Sequence, residues 1–215
     1  MIDRSASMEP LAAETISGIN NYAAEQAKQP GKATLTVVLF NHSYIFYATH
    51  IELSAFVPLD EKSYVAQGYT ALYDAVGSAI VNEGKWLAAM PESDRPAKVL
   101  VVIATDGQEN SSREFTHKQL LALIEQQKNL YKWDFVFLGA GFDNVEKEAK
   151  TSAGIVGHGK TLGYDHTAIG TRSAYNKLTQ STISYRAQSA PQAMSLADDP
   201  DPTTGNLASG GNGNA

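Results

Sequence analysis

Val99-Leu100-Val101-Val102-Ile103-Ala104-Thr105-Asp106-Gly107 is the stretch on which the fold turns. Its apolar run, rich in β-branched residues and bounded by turn signals, reads as a strand buried on both faces. Such strands belong to mostly parallel sheets with helices packed above and below. The run ends in Thr105-Asp106-Gly107, so a carboxylate stands at the carboxyl end of a buried strand, where open α/β sheets bind their ligands.

Working outward, residues 71–90 repeat apolar side chains at Leu72, Val76, Ile80, Leu87 and Met90, a helix weakened by Gly77 and Gly84 and broken by residues 91–96. Downstream, Thr116-His117-Lys118-Gln119 is a capping-box pattern that opens a helix through Leu120, Leu123, Ile124 and Tyr131. Residues 134–140 form the next buried strand. Residues 144–151 suggest a short charged helix, residues 154–158 a last edge strand, and residues 164–186 a mostly polar terminal helix anchored by Tyr175 and Leu178.

Upstream, residues 8–29 repeat Met8, Ala12, Ile16, Ile19 and Ala23 at helical spacing, with Pro10 in the first turn, where it costs no hydrogen bond, and Pro30-Gly31 at the end. Residues 33–41 and 44–53 read as strands joined by a short turn around Asn41-His42. A connection that short makes the pair antiparallel, an edge hairpin on an otherwise parallel sheet. Residues 56–68 form a loop that delivers Thr70. The alternation of strand and helix predicts a doubly wound α/β sheet, mostly parallel with one antiparallel edge strand and helices on both faces.

Composition bounds the function. The chain has 215 residues, 43% hydrophobic and 19% charged, a net charge of -6 and a pI near 5.3. That is enough for one α/β domain and a tail. The acidic balance argues against electrostatic nucleic-acid binding, which needs a basic face. No apolar run approaches the ~18 residues of a membrane span, and no signal-peptide pattern is visible, so a cytoplasmic address is the default expectation. Zero cysteines remove disulfides, thiolate metal sites and cysteine nucleophiles. The domain is expected over residues 1–186. Residues 187–215, rich in Asp, Pro, Gly and Asn, form a tail that cannot bury enough apolar surface to offset its ordering entropy.

The chemistry concentrates at the start, in Met1-Ile2-Asp3-Arg4-Ser5-Ala6-Ser7-Met8. One carboxylate and two hydroxyls at alternating positions, just before a helix, are the hard oxygen donors that Mg²⁺ takes at about 2 Å in an octahedron. Gly68-Tyr69-Thr70 and Ala104-Thr105-Asp106-Gly107 can supply further oxygens from other loops. In this order the three parts resemble the metal-ion-dependent adhesion site of von Willebrand factor type A domains, D-x-S-x-S followed by Thr and by T-D-G. Here they are Asp3, Ser5, Ser7, Thr70 and Asp106, supported by GYT-x-LYDA from Gly68 and by VIATDG from Val102. The resemblance is clearest over residues 1–160. It implies that Ser5 and Ser7 touch the metal directly and Thr70 directly or through water, while Asp3 and Asp106 act mainly through water and by orienting the hydroxyls. It further implies bound Mg²⁺ or Mn²⁺ with one coordination position left for an Asp or Glu of a partner protein. Ala6 stands where the family often has Gly.

Blander readings exist for each residue. Ser7 and Thr70 could each cap a helix, and Asp106-Gly107 could be a turn. A scaffold whose metal site is vestigial or purely structural is the alternative function. Metal-dependent phosphoester hydrolysis is a weaker one, because Ser5 stands where aspartate-based phosphoryl transfer wants a second Asp. The glycines around Phe137-Leu138-Gly139-Ala140-Gly141 invite a dinucleotide reading, but Asn144 occupies the third glycine position. No catalytic residue is expected. The five histidines, His42, His50, His117, His158 and His166, read as surface or turn residues rather than ligands, and Glu109 as a solvated loop residue. One absence is informative: the strand leading to Asp3 belongs at the sheet centre, yet only Met1 and Ile2 precede it. The expectation is that a first strand lies upstream, leaving backbone groups on its two neighbours unpaired at about 1–3 kcal/mol for each buried orphan.

Overall fold

The computed structural model describes residues 1–141 and 160–188. They form a six-stranded sheet flanked by helices. The strands are β1 (Ile2–Asp3), β2 (Thr34–Phe40), β3 (Tyr44–Glu52), β4 (Leu100–Thr105), β5 (Asp134–Ala140) and β6 (Lys160–Tyr164). Their order across the sheet is β3-β2-β1-β4-β5-β6. Every pair is parallel except β2 with β3, the hairpin expected at the edge. The doubly wound architecture expected from the alternation is therefore present.

Among the described residues four α-helices cover the faces: α1 (Ala12–Ala27), α2 (Leu72–Ala89), α3 (His117–Tyr131) and α4 (Ala168–Ala187). The sheet's alternation decides which side chain meets which layer. Phe40, Ile103, Phe135 and Phe137 point toward α2 and α3, packing with Leu72, Val76, Ile80, Leu120 and Ile124. Their neighbours Ala104, Val136 and Leu138 point the other way, onto Tyr175, Leu178 and Tyr185 of α4 and Ile19 and Tyr22 of α1. Gly18 lets α1 and α4 touch, since a Cβ there would lie 2.5 Å from the Tyr175 ring.

Local chemistry explains most of the boundaries. The capping box at Thr116 and Gln119 is formed. Residues 8–29 do not make one continuous helix. The first turns, Ala6–Leu11, are 3-10, and the α-helix begins at Ala12. Pro10 has no N–H to close an α-turn onto Ala6, so the entry winds tighter. The edge strand expected at residues 154–158 and the helix at 144–151 lie outside the described residues, as does the tail from 189 onward; the described edge strand is Lys160–Tyr164. Residue 164 thus ends a strand, and the terminal helix starts at Ala168. Among the described residues no helix is long and apolar enough to cross a membrane.

The centre of the sheet holds β1, only Ile2 and Asp3, registered on Leu39 and Phe40 of β2 and, through Ile2, on Ala104 of β4. The slot is thus occupied at its carboxyl end. Just inside it lies the Met1 α-amino nitrogen, 2.9 Å from the Val102 carbonyl. Burial pushes this amine down to about 5, because the charged form is poorly solvated there.

Candidate metal centre

The chain crosses from one half of the sheet to the other between β1 and β4, so their carboxyl ends form the crevice where ligands bind in such sheets. Asp3 ends β1 and Thr105 ends β4, which sets the Asp3 and Asp106 loops side by side. A third loop, residues 67–71, is stitched onto the first. Ala6 donates its N–H to the Gly68 carbonyl at 3.1 Å, and Gln67 donates to the Arg4 carbonyl at 2.8 Å. Gly68 is required in this loop: its φ is +76°, and a Cβ would lie 2.3 Å from the His42 ring.

All five expected oxygen residues come together. The Ser7 hydroxyl donates to Asp106 Oδ1 at 2.7 Å, and the Ser5 and Ser7 hydroxyls lie 3.2 Å apart. A Cβ built on Gly107 would sit 3.0 Å from Thr70 Oγ1 and 3.6 Å from both Asp3 Oδ2 and Ser5 Oγ. Three oxygen side chains from two distant stretches therefore surround one small space that a glycine keeps open. That is a cradle which a methyl group would fill, and its donors suit a hard cation. Among the described residues no group of three His, Cys, Asp or Glu side chains is placed to hold a metal. A cation here would be held largely by hydroxyls.

The carboxylates are fixed from behind. Asp3 is fully buried; its Oδ1 accepts the Ser5 N–H at 2.7 Å, and its Oδ2 accepts the Thr105 hydroxyl. The Tyr64 hydroxyl donates to its backbone carbonyl at 2.6 Å. Burial raises the Asp3 carboxyl to about 6, against the lowering effect of the hydrogen bonds from Thr105 and Ser5, and nearby Asp106 adds to the rise. Burial first, then the same two aspartates, also pushes up the Tyr164 phenol. Two carboxylates in a poorly solvated pocket are the electrostatic situation a divalent cation relieves.

Sequence reading missed three supports. His166, set aside as a surface or turn residue, places Nε2 2.7 Å from Asp106 Oδ2, the His side chain 34% exposed and the Asp 1%. Glu109, read as solvated, instead organises its loop: it accepts the Tyr73, Ser111 and Ser112 N–H groups at 3.0, 2.9 and 2.7 Å and the Ser112 hydroxyl at 2.7 Å. Asp74 accepts three successive backbone N–H groups, from Arg113, Glu114 and Phe115, at 2.7–2.8 Å. Together Glu109 and Asp74 tie the loop after β4 to the first turn of α2, which immediately follows Thr70. Thr70 is clamped directly: its N–H donates to the Asn110 side chain at 2.9 Å, and its carbonyl accepts the Asn110 N–H at 3.0 Å. Asp74 carries no local signal of such bonding, because its partners lie 39–41 positions along the chain, whereas three of the Glu109 bonds go to Ser111 and Ser112, only two and three positions on.

No family model matches the chain, and no curated protein matches it in sequence. Solved structures do match in shape. A von Willebrand factor type A protein from Catenulispora acidiphila shares 16% identity at a TM-score of 0.54, over 85% of this chain and 41% of that one. Proximal thread matrix protein 1 from the mussel byssus, in a structure described as having a zinc-occupied MIDAS motif, shares 14% identity at a TM-score of 0.55, over 85% of this chain and 46% of that one. The manganese-loaded TRAP protein of Plasmodium vivax shares 14% identity at a TM-score of 0.53, over 80% of this chain and 68% of that one. The present chain thus spans less than half the length of the first two. At these identities the likeness speaks for architecture, and it agrees with the strand order and the converging loops: the chain has the fold of von Willebrand factor type A domains.

Proposed function

We propose that this chain is a divalent-cation-dependent protein-binding domain, in which Asp3, Ser5, Ser7, Thr70 and Asp106 hold Mg²⁺ or Mn²⁺ and the cation receives an Asp or Glu side chain of a partner protein. One observation carries the reading: side-chain oxygens of Asp3, Ser5 and Thr70 surround a single space beside Gly107, and Ser7 links Ser5 to Asp106 of the third loop. The metal-loaded structures of the same fold support it.

Each residue has a distinct task. Ser5, Ser7 and Thr70 present neutral hydroxyl oxygens. Asp3 stays ionised at neutral pH and orients the Ser5 backbone and the Thr105 hydroxyl. Asp106 orients Ser7, and His166 braces the other Asp106 oxygen. When bound, the cation would supply an electrophilic position that a carboxylate from outside completes, because hydroxyl donors neutralise little of its charge. The rim loops around it would set specificity, among them the one bearing exposed Tyr69. Nothing in this arrangement calls for a general base, so the reading is of a binding module rather than an enzyme.

A second reading has one observation in its favour. Both Asp106 oxygens already have protein partners, Ser7 and His166. That would suit a scaffold in which the site is structural or vestigial and partners bind elsewhere. The experiment that separates the two is capture of partners with and without EDTA, repeated with Asp3→Ala and Asp106→Ala. Loss of capture in all three cases supports bridging by the cation; capture that survives them assigns the binding to another surface. Metal-dependent phosphoester turnover abolished by Asp3→Asn would instead point to hydrolysis.

A further inference from the structure

Tyr164 closes β6, and its ring lies between the end of β5 and the first oxygen-bearing loop, packed with Met8, Leu11 and Ala140. Its backbone is fixed there: the carbonyl accepts the Gly141 N–H at 2.9 Å, and a Cβ on Gly141, whose φ is +70°, would lie 3.0 Å from the His166 Cβ. The neighbours on both sides reach Asp106. Ser7, next to Met8, holds Oδ1, and His166, two positions beyond Tyr164, holds Oδ2. Yet the buried Tyr164 hydroxyl has no hydrogen-bond partner among the described residues. A buried donor left unpaired is destabilising, so such a group calls for a partner of some kind.

Asp106 has the matching need. Its side chain is 1% exposed, so bulk water does not solvate it. An ionised carboxylate has about four acceptor positions, and Ser7 and His166 occupy one on each oxygen. Electrostatics puts the phenol on this side of the site. After burial, the charge of Asp106 acts on Tyr164 more strongly than that of Asp3. For Tyr64, whose hydroxyl bonds the Asp3 carbonyl, the order is reversed. Each aspartate thus has its own tyrosine. A water between the Tyr164 hydroxyl and the two carboxylates would have three polar partners, within the roughly two to four that hold a buried water.

We propose that Tyr164 is a positioning residue of the cation site: its hydroxyl donates through one buried water to the Asp106 carboxylate and fixes the orientation in which Asp106 serves the cation. The inference rests on the cation-binding reading above. It adds to that site a residue from β6, outside the three loops that carry the oxygen cluster. Outer partners of this kind set the orientation of the groups nearer the metal. A neutral donor suits the task, because it steadies the carboxylate without cancelling the negative charge that attracts the cation. A lysine or arginine in the same place would compete with the ion.

The test is calorimetric titration with Mn²⁺ of the unsubstituted chain and of Tyr164→Phe, which keeps the ring and its packing. Tyr175→Phe, which removes a buried phenol from α4 in the same layer, is the control. Tyr164→Phe is expected to weaken Mn²⁺ binding about tenfold while moving the Tm of the metal-free protein by no more than about 5 °C. Tyr175→Phe is expected to leave the affinity unchanged. Mn²⁺ should also produce a near-ultraviolet tyrosine difference spectrum in the unsubstituted chain that is diminished in Tyr164→Phe, which a purely packing role would not predict. Equal affinity in the unsubstituted chain and Tyr164→Phe, or equal weakening by the two phenylalanine substitutions, overturns the proposal and leaves the cation site standing. No Mn²⁺ binding by the unsubstituted chain overturns the cation-binding reading, and this role with it.

Discussion

The two ends of the sheet's centre are built differently. At the carboxyl ends of β1 and β4, buried residues are tied by hydrogen bonds: the Asp3 carboxylate accepts from Ser5 and Thr105 and its backbone carbonyl from Tyr64, and the Thr70 backbone N–H donates to the Asn110 side chain. At the amino end of the same strands, residues 100–102 are only half buried, whereas all but the first residue of β5, nearer the sheet edge, are buried. A central strand less covered than its outer neighbour departs from the usual order in parallel sheets. The order of one end therefore does not depend on closure of the other: loop-to-loop hydrogen bonds, rather than a long β1, position the oxygen cluster.

The contrast can be broken most forcefully by cavity-forming changes. Leu138→Ala, at a fully buried position in β5, is expected to cost about 3–4 kcal/mol. Leu100→Ala, at the half-buried start of β4, should cost about 1 kcal/mol. Urea denaturation of both variants measures the difference, and equal costs would mean the amino end of β4 is as well packed as the rest. At the other end, Asp106→Ala should weaken Mn²⁺ binding at least about a hundredfold while leaving urea stability within about 1 kcal/mol, as read by calorimetry and denaturation.

A pH series sharpens the same comparison. The Asp3 carboxyl sits near 6 in the folded protein and near 3.8 as a model group, so between these values the native state keeps a proton that the unfolded chain has released. The Asp3 contribution in the metal-free protein should therefore make stability fall as pH rises from about 4 to about 6, by up to about 3 kcal/mol, and level off above. Cation binding needs the carboxylate, so stabilisation by added Mg²⁺ should be larger at pH 7 than at pH 5, which thermal melts at the two pH values would show. The smallest expected effect is that of His166→Ala, which frees one Asp106 oxygen and should weaken Mn²⁺ about tenfold without moving the melting temperature of the metal-free protein by more than a few degrees.

Much of this was legible in the residues because its causes are local. The buried runs ending at Thr105 and Ala140, the Thr116 capping box and the short Asn41-His42 turn each carry their signal within a few positions, and each forms as expected. The five oxygen residues were legible only as a combination, since Ser7 or Thr70 alone reads equally well as a helix cap. What escaped depends on partners far along the chain. His166 reaches Asp106 across 60 positions and Asp74 reaches Arg113 across 39. Neither spacing leaves a periodic trace.

The central claim is that Asp3, Ser5, Ser7, Thr70 and Asp106 together hold one divalent cation. Titration of the purified protein with Mn²⁺, followed by calorimetry and by loss of the free-ion paramagnetic resonance signal, tests it most directly. One ion per chain, with binding lost in Ser5→Ala and in Asp106→Ala, is the predicted result. An absence of binding, or binding that both substitutions leave intact, would contradict it.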